Sequence, residues 1–233
     1  MLICGFQKTT LLDFPGHVAC TIFTGGCNFL CPYCHNMELV QRPKDYEIPE
    51  EEIWAFLRKR RGILEGVCVT GGEPTLHPDL KEFLGKIKEL GYLVKLDSNG
   101  SRPEVLQELL ESGLVDYVAM DVKASREHYP VVAGAPCMDV NKIDESIRLL
   151  MGQTAVPYEF RTTVVGGLHT ASEVEEIGKW IAGASAFYLQ SFRESENVPE
   201  QGRQFYAFSK EELELMAEKA RKYIARVEVR GVE

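Results

Sequence analysis

Six short runs rich in β-branched and aromatic residues punctuate the chain: "VACTIF" (18–23), "GVCVT" (66–70), "YLVKL" (92–96), "DYVAM" (116–120), "YEFRTTVV" (158–165) and "AFYLQ" (186–190). Most are nearly continuous in apolar character, the pattern of strands buried on both faces. A helical period follows each run. After the second, Leu80, Phe83, Leu84, Ile87 and Leu90 line one helix face, with Pro78 suited to the first turn and Gly91 placed where a helix end takes a left-handed residue. "SEVE" from Ser172 offers a capping box ahead of Val174, Ile177, Trp180 and Ile181, and "SKEE" from Ser209 offers another ahead of Leu213, Met216, Ala220 and Tyr223. Alternating strands and helices predict an α/β protein with a parallel sheet and right-handed crossovers, either an open doubly wound sheet or a barrel. The pattern itself does not choose. No Gly/Ser linker interrupts it, and residues 124–140, with Pro130, Gly134 and Pro136, read as a loop, so residues 1–233 are expected to form one domain.

At 233 residues, with 45% hydrophobic and 26% charged positions, the chain can bury one substantial core. A net charge of -9 and a pI near 5.2 argue against a surface built to neutralise nucleic acid or coat an anionic membrane. Met1 to Phe6 lacks the basic start and long apolar run of a signal peptide, and no apolar stretch approaches membrane-spanning length, so a cytoplasmic protein is expected. The seven cysteines are an odd number, and Cys27, Cys31 and Cys34 bunch at metal-ligand spacing. Cys4, Cys20, Cys68 and Cys137 stand singly and read as small buried hydrophobes, so no disulfide framework is expected.

In parallel α/β folds ligands bind where the strands end. The cysteine loop follows the first run, "GGEP" (71–74) the second, "DSNG" (97–100) the third and "DVK" (121–123) the fourth; Arg161 lies within the fifth, and "QSFRESEN" closes the sixth. Polar, glycine-containing segments at one end of successive strands are what a site built across a barrel mouth requires. A structural zinc site takes four protein ligands, so the three cysteines would need His35 or Cys20 as a fourth. A cubane iron–sulfur cluster on three thiolates instead leaves one iron open to an external ligand, which makes the missing cysteine the functional feature.

The C-x3-C-x2-C spacing with Tyr33 directly before the third cysteine, followed after the next strand by "GGEP", resembles the radical S-adenosylmethionine superfamily. "LLDFPG" (11–16), "CNFLCPYCHN" (27–36), "TGGEPTLHP" (70–78), "LDSNG" (96–100) and "AMDVK" (119–123) together resemble its glycyl-radical-enzyme activating enzymes. Residues 5–29 are similar to the long form of the anaerobic ribonucleoside-triphosphate reductase activating protein, and the overall length is similar to that of pyruvate formate-lyase activating enzyme. The resemblance implies a partial (β/α)6 barrel, open on one side, with parallel strands, outer helices and a [4Fe-4S] cluster at its mouth. It implies that S-adenosylmethionine chelates the unique iron, and that one-electron reduction by flavodoxin or ferredoxin yields methionine and a 5′-deoxyadenosyl radical. That radical would take hydrogen from a glycine Cα of a partner glycyl radical enzyme. Anaerobic ribonucleoside-triphosphate reductase is the expected partner, with pyruvate formate-lyase or another glycyl radical enzyme as the alternative. A radical enzyme acting on a small molecule and a zinc-binding adaptor are the readings from other classes.

Motif by motif, the resemblance assigns Cys27, Cys31 and Cys34 to the cluster and Tyr33, Gly71, Gly72 and Glu73 to the cofactor. The glycines would allow close backbone approach to the ligand, and Glu73 would accept a hydrogen bond from the methionyl ammonium. Asp97, Ser98 and Asp121 resemble a site for a monovalent cation and the cofactor carboxylate, with Lys123 and Arg161 near that carboxylate. Asp13 and His35 match positions that contact the glycine-bearing peptide. Each has a local reading too: "GGEP" as a tight turn, the strand-end charges as solvated loop residues, Asp13 as a turn former and His35 as a hydrogen-bonder within its own loop. One departure stands out. Pyruvate formate-lyase activating enzyme carries a histidine after its last such strand, where this chain reads "YLQSFRESEN" (188–197) and offers Gln190 or Arg193. His17, His77, His128 and His169 form no metal or acid–base set, Met37 and Met120 read as packing residues, and no second cysteine group exists for an auxiliary cluster.

Overall fold

The computed structural model describes residues 1–195, 198–199 and 204–232. All six expected strands are present, and one more lies at each end of the series. In chain order they are β1 (Ile3–Thr10), β2 (Ala19–Thr24), β3 (Gly66–Gly71), β4 (Leu93–Ser98), β5 (Tyr117–Asp121), β6 (Tyr158–Val164), β7 (Phe187–Ser191) and β8 (Val227–Arg230). They form one sheet in strictly sequential order, β1 antiparallel to β2 and every later neighbour parallel. Sequential order contains no reversal point of the doubly wound kind, and β1 and β8 remain unpaired with each other. The sheet is an unclosed, partial barrel. The two end strands escape the apolar pattern because edges are half solvated: Gln7, Lys8 and Thr9 of β1 are exposed, and only Val227 of β8 is buried.

The helices are α1 (Met37–Gln41), α2 (Glu50–Arg60), α3 (Leu80–Glu89), α4 (Pro103–Glu111), α5 (Tyr129–Val132), α6 (Val140–Gly152), α7 (Ala171–Trp180) and α8 (Lys210–Ala220). In α3 the periodic residues Leu80, Phe83, Leu84 and Ile87 are buried, and Gly91 takes φ 90° just past the end. Pro78 lies before the cap residue Asp79 instead of in the first turn. The Ser209–Glu212 capping box starts α8 as expected, but the helix stops at Ala220, short of Tyr223. The α7 cap is Thr170, whose side chain accepts from Glu173 N, so Ser172 already lies inside the helix. Glu173 does not complete a box; it accepts from Ser125 N (2.6 Å) and bonds His128 Nδ1 (2.7 Å). Residues 124–140 are more than a loop. They contain α5, and they grip the cysteine loop: Leu30 N donates to Ala133 O at 3.0 Å, and a Cβ on Gly134 would lie 2.1 Å from Leu30 O.

Strand side chains alternate between two faces. Val94 and Leu96, Val118 and Met120, and Phe160 point outward into the apolar core shared with α3, α4 and α6. Cys68, Lys95 and Asp97, Tyr117 and Asp121, and Glu159 and Arg161 point the other way, where they contact one another.

Candidate active site

The loops that follow β2 to β5 meet over one cavity of about 200 Å³. Cys27, Cys31 and Cys34 line it together with Gly71, Gly72 and Glu73, Asp97 and Ser98, Asp121 and Lys123, and the neighbours Tyr33 and His35. Segments up to about a hundred residues apart in sequence therefore share one wall, as sequential strands in a barrel dictate.

The cysteine loop is tied down on several sides. His77 Nε2 lies 3.0 Å from Gly25 O, Gly26 N donates to Leu39 O at 2.9 Å, and Asn99 Nδ2 donates to Asn28 Oδ1 at 2.9 Å. Asn28 in turn donates to Ser101 Oγ (2.9 Å), stitching this loop to the one after β4. Phe29 N donates to Cys27 Sγ at 3.4 Å, a contact that favours a ligating thiolate. Burial, reinforced by Glu73, pushes the Cys27 thiol up to about 12, and burial pushes Cys31 up to about 11 and raises Cys34 as well. Such thiols ionise when a metal displaces their protons. Among the described residues no three His, Cys, Asp or Glu side chains gather round one point as a single zinc ion requires. A cubane makes no such demand, because each thiolate takes a different iron.

The "GGEP" turn packs against the cysteine loop with backbone on backbone. Gly71 adopts φ 110°, and a Cβ on Gly72 would lie 1.8 Å from Gly26 O. The close approach these glycines permit is thus to the chain's own Thr24–Gly26 segment, with Gly72 N donating to Thr24 O (2.8 Å) and Glu73 N to Gly26 O (2.9 Å). Glu73 is fully buried and already holds four donors: Thr75 N (3.1 Å), Thr75 Oγ1 (2.5 Å) and Ser98 Oγ (2.9 Å) on Oε1, and Asn99 N (2.6 Å) on Oε2. Burial raises this carboxyl and the four donors oppose the rise. The carboxylate pins the turn after β3 to the loop after β4, and Oε2 alone keeps an open acceptor direction.

Beneath the cavity lies a chain of charges. Asp97 Oδ1 pairs with Lys95 Nζ, and Asp97 Oδ2 accepts from Arg161 Nη1 at 3.1 Å. Asp121 Oδ1 accepts from Arg161 Nε at 3.0 Å, and its Oδ2 from Lys123 Nζ at 2.9 Å. Burial by itself would raise both carboxyls; Arg161 with Lys95 at Asp97, and Arg161 with Lys123 at Asp121, outweigh it and hold both below the usual carboxylate range. Arg161, expected at the cofactor carboxylate, does not line the cavity; it spans the two aspartates from below as the register partner of Asp121. Ser98 faces away from Asp97, as adjacent strand residues must, and bonds Glu73. Lys95, 1% exposed, is masked in the sequence by the apolar run "YLVKL", although a lone charge two places before Asp97 marks a shared strand face.

Three further placements complete the site. The Tyr33 hydroxyl is buried without a hydrogen-bond partner, an orphan that a group bound in the cavity can satisfy. His169, given no role in the sequence reading, is 2% exposed; its Nδ1 accepts from Val165 N (3.1 Å), so Nε2 carries the hydrogen and donates to Lys123 O (2.8 Å). Burial lowers its pKa and keeps it neutral in this clamp on the "DVK" segment. His35 lines the cavity, with Nε2 2.6 Å from Arg193 O and its ring 5.5 Å from that of Phe192, so it also anchors the chain after β7.

Asp13 is not brought to this cavity. It lies in the turn between β1 and β2, at the opposite end of β2 from the cysteines, and accepts from Thr21 Oγ1 at 2.5 Å. Its N–H bonds Thr10 Oγ1 (3.2 Å), the turn role its local sequence suggested. Gln190 and Arg193 do not line the cavity, and Glu196 and Asn197 of the same stretch lie outside the described residues.

A family model of the Radical SAM superfamily matches residues 21–181, a span that covers the cysteine loop and every strand end around the cavity. The chain belongs to that superfamily. Radical SAM enzymes use a [4Fe-4S] cluster and S-adenosylmethionine, and the three-cysteine wall, the orphan Tyr33 hydroxyl and the polar floor fit both. The chain is 32% identical over 240 residues to a Methanocaldococcus jannaschii protein provisionally named a glycyl-radical enzyme activating enzyme, covering 99% of this chain and 96% of that one. It is 31% identical over 144 residues to a Saccharolobus solfataricus protein provisionally named a GTP 3',8-cyclase, covering 60% of this chain and 46% of that protein. Among solved structures, Streptococcus suis SuiB bound to the precursor peptide SuiA shares the fold, with a TM-score of 0.64 at 15% identity over 91% of this chain and 48% of that one. Among the described residues no helix is long and apolar enough to cross a membrane.

Proposed function

We propose that this radical SAM enzyme activates a glycyl radical enzyme, with residues 1–233 serving as one catalytic unit. The observation that carries the reading is a cavity whose lining holds three thiols and no fourth, in a chain alike along nearly its whole length to a provisionally named activating enzyme. Held by Cys27, Cys31 and Cys34, a [4Fe-4S] cluster would supply the electron that splits S-adenosylmethionine into methionine and a 5′-deoxyadenosyl radical, the agent that would take hydrogen from a glycine Cα of the partner protein.

The chain's own residues supply position and shelter. Cys27, Cys31 and Cys34 would hold the cluster, and the ties from Asn28, His77 and Ala133 keep their loop from shifting when the thiols lose protons. The turn at Gly71, Gly72 and Glu73 would receive the methionyl ammonium. Lys123, held by Asp121 and by the His169 clamp on its carbonyl, would face the cofactor carboxylate, and Tyr33 would cover one side. His35, exposed at the rim and fixed against Phe192, would meet the partner's peptide.

Anaerobic ribonucleoside-triphosphate reductase is the partner favoured by the "LLDFPG" and "TGGCNF" stretches, and a low-potential flavodoxin or ferredoxin is the expected electron source. The cyclase likeness favours a small-molecule reading less, because it leaves about half of those proteins unmatched. The test is anaerobic reconstitution and reduction in the presence of S-adenosylmethionine and candidate partners. Methionine and 5′-deoxyadenosine with a glycyl radical signal on one partner, and cleavage of that partner by oxygen, support the reading. Turnover with no radical on any glycyl radical enzyme offered would move the protein to the small-molecule class, and a colourless one-zinc protein would end both.

A further inference from the structure

Resting on the cofactor reading above, we infer that Lys95 is a built-in counter-cation that takes the place of a monovalent metal ion beneath the cofactor carboxylate. The sequence resemblance led to the expectation of such an ion among Asp97, Ser98 and Asp121. A bound alkali ion is disfavoured where side-chain cations already sit on the oxygens that would hold it. All four carboxylate oxygens of the two aspartates are already bonded, to Lys95 and Arg161 at Asp97 and to Arg161 and Lys123 at Asp121. The Ser98 hydroxyl is turned to Glu73.

Charge counting leads to the same conclusion. Within this chain of salt bridges Lys95, Arg161 and Lys123 carry three positive charges against the two of Asp97 and Asp121; Glu73, held by four neutral donors, and Asp13, held by Thr21 Oγ1, lie outside it. The next carboxylate inward, Glu159, is occupied by Arg230 (2.9 and 3.1 Å) and Tyr117 (2.9 Å), and offers nothing to Lys95. Cys68, 3.8 Å from Lys95 Nζ, is a neutral thiol pushed up by burial. Among the described residues Lys95 thus pairs with one carboxylate, Asp13 being bonded to Thr21 Oγ1 beside Cys68, and an ammonium buried at 1% exposure cannot leave its partner without a large desolvation penalty. An added alkali ion would meet three side-chain cations and would have to compete with a buried salt bridge. Lys95 acts through Asp97 and is a positioning residue.

The reconstituted full-length protein is assayed for S-adenosylmethionine affinity and cleavage in potassium, sodium and tetramethylammonium chloride at equal ionic strength. The wild type should agree across the three salts within about twofold. Lys95→Met should lose about tenfold or more in affinity in tetramethylammonium and regain most of it with potassium or sodium, an ion-specific rescue that a merely structural role does not produce. A wild type that needs an alkali ion, or a folded Lys95→Met variant equally active in every salt, overturns the inference; if that variant does not fold, the wild-type series decides alone. A second readout needs no turnover: the sodium-23 linewidth should stay unbroadened by the wild type, and broadening that Asp97→Asn abolishes would overturn the inference. If the protein cleaves S-adenosylmethionine but activates no partner, the proposed function fails while both readouts still judge Lys95.

Discussion

The two faces of the same strands obey different rules. Outward, Leu96, Met120 and Phe160 meet helices in a dry core where shape and area decide the energy. Inward, one residue along, Lys95 is as enclosed while Asp97, Asp121 and Arg161 are half-buried, and all four are held by pairing. A barrel wall needs both: the outer face stabilises the fold, and the inner face keeps charges where solvent would otherwise screen them. The difference predicts that outer-face truncations change stability with chemistry intact, whereas inner-face changes alter cofactor binding with less effect on the fold.

The largest effect is expected at the rim. Cys34→Ala should leave the fold intact by circular dichroism while reducing iron content and bringing cleavage of S-adenosylmethionine to background. On the outer face, Phe160→Ala should cost about 3–5 kcal/mol in denaturant unfolding and lower the melting temperature by about 10 °C. Cleavage per folded molecule should persist. On the inner face, Arg161→Met should weaken cofactor affinity by roughly 10–100-fold, the range for residues that orient ligating groups, measured by equilibrium dialysis.

The same variant has a pH signature. Asp97 and Asp121 titrate below their unfolded range, so they contribute stability above about pH 4, and that contribution is lost as pH falls through their lower folded values. Without Arg161 both carboxyls rise. The stability gap between wild type and variant should therefore narrow as pH drops from about 4 toward 2 in urea titrations. A gap constant with pH would mean that packing, not pairing, holds the inner face. The smallest effect belongs outside both faces: Ser209→Ala removes the α8 capping box and should cost about 1 kcal/mol with cleavage unchanged.

How legible each part was follows from the range of its interactions. The cysteine trio and "GGEP" could be found because their spacing is a local requirement of the loops that carry them, and the structure joins them through Gly72 and Gly26. Lys95 was hidden in a run read as apolar, and His169 among scattered histidines, because the partners that give them meaning, Asp97 with Arg161 and Lys123 O, come from neighbouring strands and loops. Glu73 was identified as a site residue, but its four donors from Thr75, Ser98 and Asn99 were invisible without the meeting of two loops.

The sequence by itself determined the six interior strands, the α3 face and the α8 cap, since apolar period and capping chemistry act over a few residues. Only the tertiary structure decided that β1 and β8 extend the sheet at its two edges, that Asp13 lies at the far end from the cysteines, and that Lys95, Arg161 and Lys123 gather on Asp97 and Asp121 under the cavity. The reason is range. A helix cap or a buried strand is settled by neighbours in the chain, whereas the charge and shape of a site are sums over groups that come together when strands from distant parts of the sequence pair.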